Sequence, residues 1–300
     1  MIKNMYEEFF HLRKKPFELV PNPDFLYLSG THKKAMVYID YGLSEKAGFI
    51  LLTGEVGSGK TTLIRNFIRK LDGTVTLSKV FNTKVNAEQL ISMINEDFGI
   101  DSAGKGKVQL LKELYAFLIG EYEKGRHALL VMDEAQNFTP ELLEEVRMLS
   151  NLETDDSKLL QIILVGQPEL RSILSLPDLR QLRQRISIAC HLSPLTRAET
   201  EEYVFHRLEV AGNRDAVTFS PEAMNAVYVY SKGIPRLVNI LCNFLMLTAF
   251  TEQTREVTVD MVHDIAGGVG LAMHSEGSAA ATERKKNFLG ALGMPAKTAE

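Results

Sequence analysis

One octapeptide, Gly54-Glu55-Val56-Gly57-Ser58-Gly59-Lys60-Thr61, restricts the folds open to this 300-residue chain more than any other stretch. It satisfies G-x-x-x-x-G-K-[ST] without a mismatch, and Thr62 follows it. Ahead of it runs the apolar segment Phe49-Ile50-Leu51-Leu52-Thr53, and behind it Leu63 to Leu71 repeats at helical spacing. Strand, glycine loop and helix are the context in which this pattern binds phosphate. Glycines let successive backbone N–H groups turn inward toward phosphate oxygens, and the helix N-terminus adds its partial positive charge. In that frame Gly54 through Thr62 line the phosphates, Lys60 reaches the β- and γ-phosphates, and the Thr61 hydroxyl ligates Mg²⁺. A chance glycine-rich turn would lack both flanks, so the expected ligands are ATP and Mg²⁺.

A second signal comes at His127-Ala128-Leu129-Leu130-Val131-Met132-Asp133-Glu134, an apolar strand that ends in two carboxylates. Ligands of a parallel sheet gather at such strand ends. Asp133 is expected to hold Mg²⁺ through water, and Glu134 to orient and deprotonate the attacking water. Strand alternation is expected to aim the two side chains differently. The next buried strand, Lys158 to Val165, stops at Gly166-Gln167-Pro168. Gln167 is placed either to touch the γ-phosphate or simply to form the turn before Pro168. Arg180, Arg183 and Arg185 precede the strand Ile186 to Leu192. They read either as a salt-bridged surface or as donors of a guanidinium to a neighbouring subunit's ATP.

From Pro194 onward the pattern is helical. Thr196-Arg197-Ala198-Glu199 has the form of a capping box, and Ser220-Pro221 pairs an N-cap with proline at the first helical position. Gly233-Ile234-Pro235-Arg236 opens a third helix and Thr258-Val259-Asp260 a short fourth. Arg236 either caps its helix or swings onto the γ-phosphate. Ahead of the phosphate loop, a short helix from Met5 is expected to end at Pro16, and another to run from Thr31 to Ser44 with Ala35, Met36, Ile39 and Leu43 on one face. From Gly267 the chain is rich in Gly, Ala and Ser, and a disordered tail is expected. The resulting division is an N-terminal extension packing on the core (1–48), a nucleotide-binding core (49–194), a small all-α lid (195–266) and a tail (267–300).

Composition excludes several classes. A formal charge of −4 weighs against a protein that coats nucleic acid by charge alone, while leaving room for a local basic patch at Lys14, Lys15, Lys33 and Lys34. The two cysteines, Cys190 and Cys242, lie in apolar runs and are expected to pack as small hydrophobes, without metal-ligand spacing. No signal peptide or membrane-spanning stretch is expected, because Leu237 to Thr251 is too short and carries two asparagines. A cytoplasmic protein, peripheral at most to the inner membrane, is the expectation.

Together these motifs resemble an AAA+ ATPase: an α/β three-layer sandwich with a parallel sheet and a helical lid. Met5-Tyr6-Glu7-Glu8-Phe9-Phe10, Lys15-Pro16-Phe17, Pro21 to Leu28, the phosphate loop, Asp133-Glu134-Ala135-Gln136, Leu164-Val165-Gly166-Gln167-Pro168-Glu169-Leu170 and Leu182-Arg183-Gln184-Arg185 more narrowly resemble the general secretion pathway protein A family, over about residues 5–266. That resemblance implies Gln167 as first sensor, Arg236 as second sensor, and Arg185, then Arg183, as a finger acting in trans. It implies a homo-oligomer, a ring or an ATP-dependent assembly, and a membrane-bound partner for export of protein or exopolysaccharide. Larger members continue into a transmembrane helix and a periplasmic peptidoglycan-binding domain. Residues 267–300 carry neither pattern, which fits the short form associated with exosortase/PEP-CTERM loci. Transposition-regulator ATPases share the same core, and a DNA-associated switch is the alternative reading.

Overall fold

The computed structural model describes residues 5–20, 22–81, 85–154 and 157–270. In chain order the elements are α1 (Met5–Phe9), α2 (Gly30–Ser44), β1 (Phe49–Gly54), α3 (Lys60–Lys70), β2 (Val75–Val80), α4 (Ala87–Asp97), α5 (Lys107–Glu123) and β3 (His127–Met132). There follow α6 (Pro140–Leu149), β4 (Leu160–Gly166), α7 (Glu169–Leu174), α8 (Arg180–Arg185) and β5 (Ile186–Leu192). The remainder is α9 (Arg197–Ala211), β6 (Thr218–Phe219), α10 (Pro221–Ser231), α11 (Pro235–Thr251), β7 (Glu256–Val257) and α12 (Val259–Gly268). Packing divides them into two units, one of residues 30–56 and 60–193, the other of the arm before residue 30, residues 57–59 and everything from 194.

The first unit is built on a five-stranded, all-parallel sheet of order β2-β3-β4-β1-β5. Its central strands are buried along their whole length, so they read in the sequence as near-continuous apolar runs. Alternate side chains serve the two faces. Phe49, Leu51, Leu130, Met132, Ile162 and Leu164 join one core with residues of α4, α5, α6, α7 and α8. On the opposite face Ile50 and Ile188 lie beneath α2 at Gly42, where an added Cβ would come within 2.7 Å of each. Gln161, buried in β4, turns its amide toward the end of α2 and donates to Gly42 O at 3.0 Å and Ala47 O at 3.2 Å. Gly42 O also accepts from the Ala47 N–H at 2.9 Å, so the Gln161 amide ties the turn that ends α2 to the strand.

A charged staple ties α5 to the strand beside it. Glu121 is 3% exposed and takes hydrogen bonds from Arg126 Nε and Nη2, both at 2.6 Å, from Lys124, and from the Thr76 hydroxyl of β2. The Arg126 bonds are the chief reason that its carboxyl sits well below the usual range, at about 2; Thr76 and Lys124 add to the effect and burial opposes it. Because the folded value lies below the ordinary carboxylate value, the stabilisation is complete above pH ~4.5 and fades as pH falls toward 2. Glu121→Gln is expected to cost about 2 kcal/mol at pH 7, discounted for the exposed Arg126 and Lys124, and much less at pH 3. Denaturant unfolding at both pH values checks this, and an equal loss at both would exclude the carboxylate as its source.

The second unit is helical; side-chain caps open α9, α10 and α12, while α11 starts at Pro235 without one. Thr196 and Glu199 form the capping box of α9, and Ser220 caps α10 with Pro221 at its first position. Cys242 is fully buried in α11 among Leu241, Leu245 and Met246, and in the first unit Cys190 is buried in β5. Beyond the expected all-α content, β6 and β7 pair in parallel through Thr218↔Glu256 and Phe219↔Val257. The N-terminal extension behaves differently from the sequence expectation. Its α2 lies on the sheet, but Phe10, Leu12, Phe17 and Phe25 enter the core of the helical unit. That arm has little regular structure, so its carbonyls need outside donors. Arg207, 6% exposed, donates to Pro16 O and Glu18 O and stacks over Phe25; Asn213 donates to Phe10 O, and Arg255 to Phe9 O. Helix α12 runs on to Gly268, and the rest of the expected tail, 271–300, lies outside the described residues. No helix among the described residues is long and apolar enough to cross a membrane.

Candidate functional site

The phosphate loop leaves β1 at Gly54 and enters α3 at Lys60. Gly57 and Gly59 both have positive φ, +81° and +97°, which non-glycine residues rarely tolerate. A Cβ at Gly57 would also lie 2.4 Å from Arg236 Cβ, and the Arg236 N–H donates to Gly57 O at 3.3 Å. Arg236, at the start of α11, is thus held by its backbone against the loop glycine.

Lys60 is 6% exposed, and its ammonium donates to Gly54 O at 2.7 Å and Glu55 O at 3.0 Å. Burial pushes its pKa below the usual lysine value, while the carboxylates of Glu134, Asp133, Glu55 and Glu169 pull in the opposite direction. Next to it Thr61 Oγ1 donates to Asp133 Oδ2 at 3.0 Å. A hydroxyl and a carboxylate oxygen at the mouth of a phosphate loop are hard donors of the kind Mg²⁺ takes. Among the described residues no three His, Cys, Asp or Glu side chains gather into a metal site. Mg²⁺ would therefore be held in part by phosphate oxygens, its usual mode in nucleotide sites.

The two carboxylates differ from the sequence expectation in one respect. Strand β3 ends at Met132, so Asp133 and Glu134 sit in the turn beyond it, and strand alternation does not separate them. Glu134 instead adopts the left-handed conformation, φ 53° and ψ 36°. This backbone costs an L-residue about 1–2 kcal/mol and persists only where its surroundings enforce it. Here Asp133 Oδ1 accepts from the Glu134 N–H at 2.9 Å, and Glu134 O accepts from the Asn137 N–H at 3.0 Å. The two carboxylates meet different partners, Asp133 Oδ2 the Thr61 hydroxyl and Glu134 Oε2 two side-chain amides.

Gln167, immediately after β4, reaches the same place. Its Nε2 donates to Glu134 Oε2 at 3.3 Å. The sequence expectation missed Gln136 as a site residue. Its Nε2 donates to Glu134 Oε2 at 2.6 Å, and its Oε1 accepts from the Gln167 N–H at 3.0 Å. The available signal was a second amide two residues past the acidic pair.

The structure thus gathers Lys60, Thr61, Asp133, Glu134 and Gln167. The arginines before β5 are held elsewhere in their unit. Arg185 Nη1 donates to Ser150 Oγ at 2.6 Å and Arg147 O at 3.3 Å, and Arg183 Nη1 to Leu174 O at 3.4 Å. These contacts lie at the C-terminal ends of α6 and α7, where helix carbonyls favour a cation. Arg180 is exposed.

Comparison with known proteins agrees with this geometry. Residues 43–174 match the AAA domain family. Over 271 residues, 90% of this chain, the sequence is 39% identical to general secretion pathway protein A of Aeromonas hydrophila. The chain spans about half of that relative, 48% of its length. Among solved structures the fold is similar to the ORC2 protein of Aeropyrum pernix in its ADP form, with TM-score 0.61, 17% identity and coverage of 98% of this chain and 86% of that one. It is equally similar to Cdc6p of Pyrobaculum aerophilum, with TM-score 0.61, 16% identity and coverage of 92% and 86%. At such identities the likeness shows the fold, a P-loop AAA+ sheet followed by a helical part.

Proposed function

From an AAA domain with these groups gathered at its phosphate loop, we propose that the protein is a Mg²⁺-dependent ATP hydrolase whose cycle drives or regulates an envelope export system. The observation that carries the catalytic part is the convergence of Lys60, the Thr61–Asp133 pair and the Glu134–Gln167 pair. Residues of the loop from Gly54 to Thr62 bind the phosphates through backbone N–H groups and Lys60. Thr61 and Asp133 would hold the metal, which would supply positive charge against the phosphates. Glu134 takes the proton of the attacking water as its oxygen bonds to the γ-phosphorus. The bridging P–O bond then breaks, leaving ADP and phosphate. Gln167 orients that water or the γ-phosphate, and Arg236 serves as the lid's sensor.

The export role is supported by 39% identity to a general secretion pathway protein A. Protein secretion, or exopolysaccharide export of the exosortase/PEP-CTERM kind, is the finer reading, with a membrane-bound partner and action at the inner membrane. The protein is proposed to work as a homo-oligomer in which Arg185, or in second place Arg183, completes a neighbour's site. To do so Arg185 must give up Ser150 and Arg147 O, so the switch has a stated starting point.

Phosphate release by the full chain with ATP and Mg²⁺, measured against a blank without protein, tests the hydrolase reading, and no release above that blank would sink it. Specific activity is expected to rise with protein concentration, and Arg185→Ala to remove that rise. A flat response across roughly a hundredfold dilution would count against a finger in trans. Duplex DNA at low salt is expected to leave the rate unchanged. Strong stimulation that vanishes as salt rises would instead indicate the transposition-regulator type of switch.

A further inference from the structure

The geometry points to Gln136 as a positioning residue that holds the Glu134 carboxylate by one oxygen and couples it to the Gln167 turn. This rests on the hydrolase reading above. Gln136 occupies the single turn after Glu134, residues Ala135–Asn137, on the far side of the left-handed backbone. Its amide has only one workable orientation. The Gln167 N–H can only donate, so the amide oxygen must face it, at 3.0 Å. That leaves the NH₂ group facing Glu134 Oε2, at 2.6 Å. Gln167 donates to the same Oε2, at 3.3 Å. Two amides therefore engage one carboxylate oxygen, and Oε1 is left to take the proton of water.

The pocket around this amide is tight. Gly166 is where β4 ends, and a Cβ there would approach Gln136 Oε1 to 3.0 Å and Leu170 Cδ2 to 2.7 Å. A larger residue at 166 would push on the same amide that bridges the two turns. Gln136 thus acts on the reaction through Glu134, its two side-chain hydrogen bonds going to Glu134 and Gln167.

Two substitutions separate its two hydrogen bonds. Gln136→Glu keeps an oxygen for the Gln167 N–H but replaces the donor to Glu134 with a second carboxylate. Gln136→Leu removes both bonds. Steady-state ATP hydrolysis gives kcat and KM, and titration with a fluorescent ATP analogue gives affinity independently of turnover. Both variants are expected to lose about 10–100-fold in kcat, as displacement of a general base does, with affinity within about twofold of wild type. Gln136→Glu turning over at the wild-type rate would overturn the inference, since the Gln167 bond alone would then suffice. A loss of ATP affinity in step with kcat would also overturn it, because the residue would be supporting the nucleotide site as a whole. If Gln136→Leu melts early, Gln136→Glu carries the test, its acceptor contact being intact. Absence of wild-type turnover would overturn the hydrolase reading and this inference with it, whereas wild-type turnover with an unimpaired Gln136→Glu overturns the inference alone.

Discussion

Glu134→Gln is expected to bind ATP with affinity within about threefold of wild type and to hydrolyse it about 10²–10⁴-fold more slowly, the usual worth of a positioned general base. The replacement has the same shape and the same length, so the left-handed backbone and the contacts of the turn survive. What it lacks is a basic oxygen. The amide also reverses part of the network: Glu134 Oε2 accepts from Gln136 and Gln167, and the new side chain must offer its single oxygen to them. The expected result is a chain trapped with nucleotide, visible as a stable larger species by size-exclusion chromatography with ATP and as a lost single-turnover burst. Normal turnover by this variant would place the base elsewhere. Slow turnover together with weak ATP binding would mean that Glu134 supports the site and does not act on water.

Lys60→Ala is expected to weaken ATP binding by about a hundredfold or more. The ammonium is almost completely buried, at 6% exposure, and it bonds two carbonyls of the loop, Gly54 O and Glu55 O. Removing it deletes charge-assisted hydrogen bonds of about 1.5–3 kcal/mol each to phosphate and leaves the loop carbonyls without their donor. A loss of 3 kcal/mol is about a hundredfold in Kd. Adenosine has no phosphates for Lys60 to meet, so its weaker binding should hardly change. Isothermal titration with ATP and with adenosine separates the two cases. An equal loss for both ligands would mean that the loop itself had collapsed.

The strands and the phosphate loop were legible because their causes are local. A buried parallel strand shows as a near-continuous apolar run, and the loop's glycines, lysine and threonine are fixed by spacing. Caps at Thr196 and Ser220 were legible for the same reason. Helix α6 was passed over although Thr139-Pro140 opens it, with Thr139 accepting from the Leu142 N–H. The left-handed turn at Glu134 and the bridge through Gln136 were not legible, since they need β3 and β4 side by side. The destination of the arm was hidden for the same reason. Phe10, Phe17 and Phe25 look like any amphipathic segment until their partners, some 190 residues on, are known.

That arm sets an order of events during synthesis. The bond from Arg207 to Pro16 O joins positions 191 residues apart, which at about 5–20 residues per second separates their emergence by roughly 10 to 40 s. Throughout that wait the aromatic side chains of the arm have no core to enter, while β1 to β5 emerge and can pair. Long-range contacts of this kind are slow to form and leave apolar surface open to wrong partners. Residues 10–25 therefore belong to a unit that cannot finish folding until its last helices arrive.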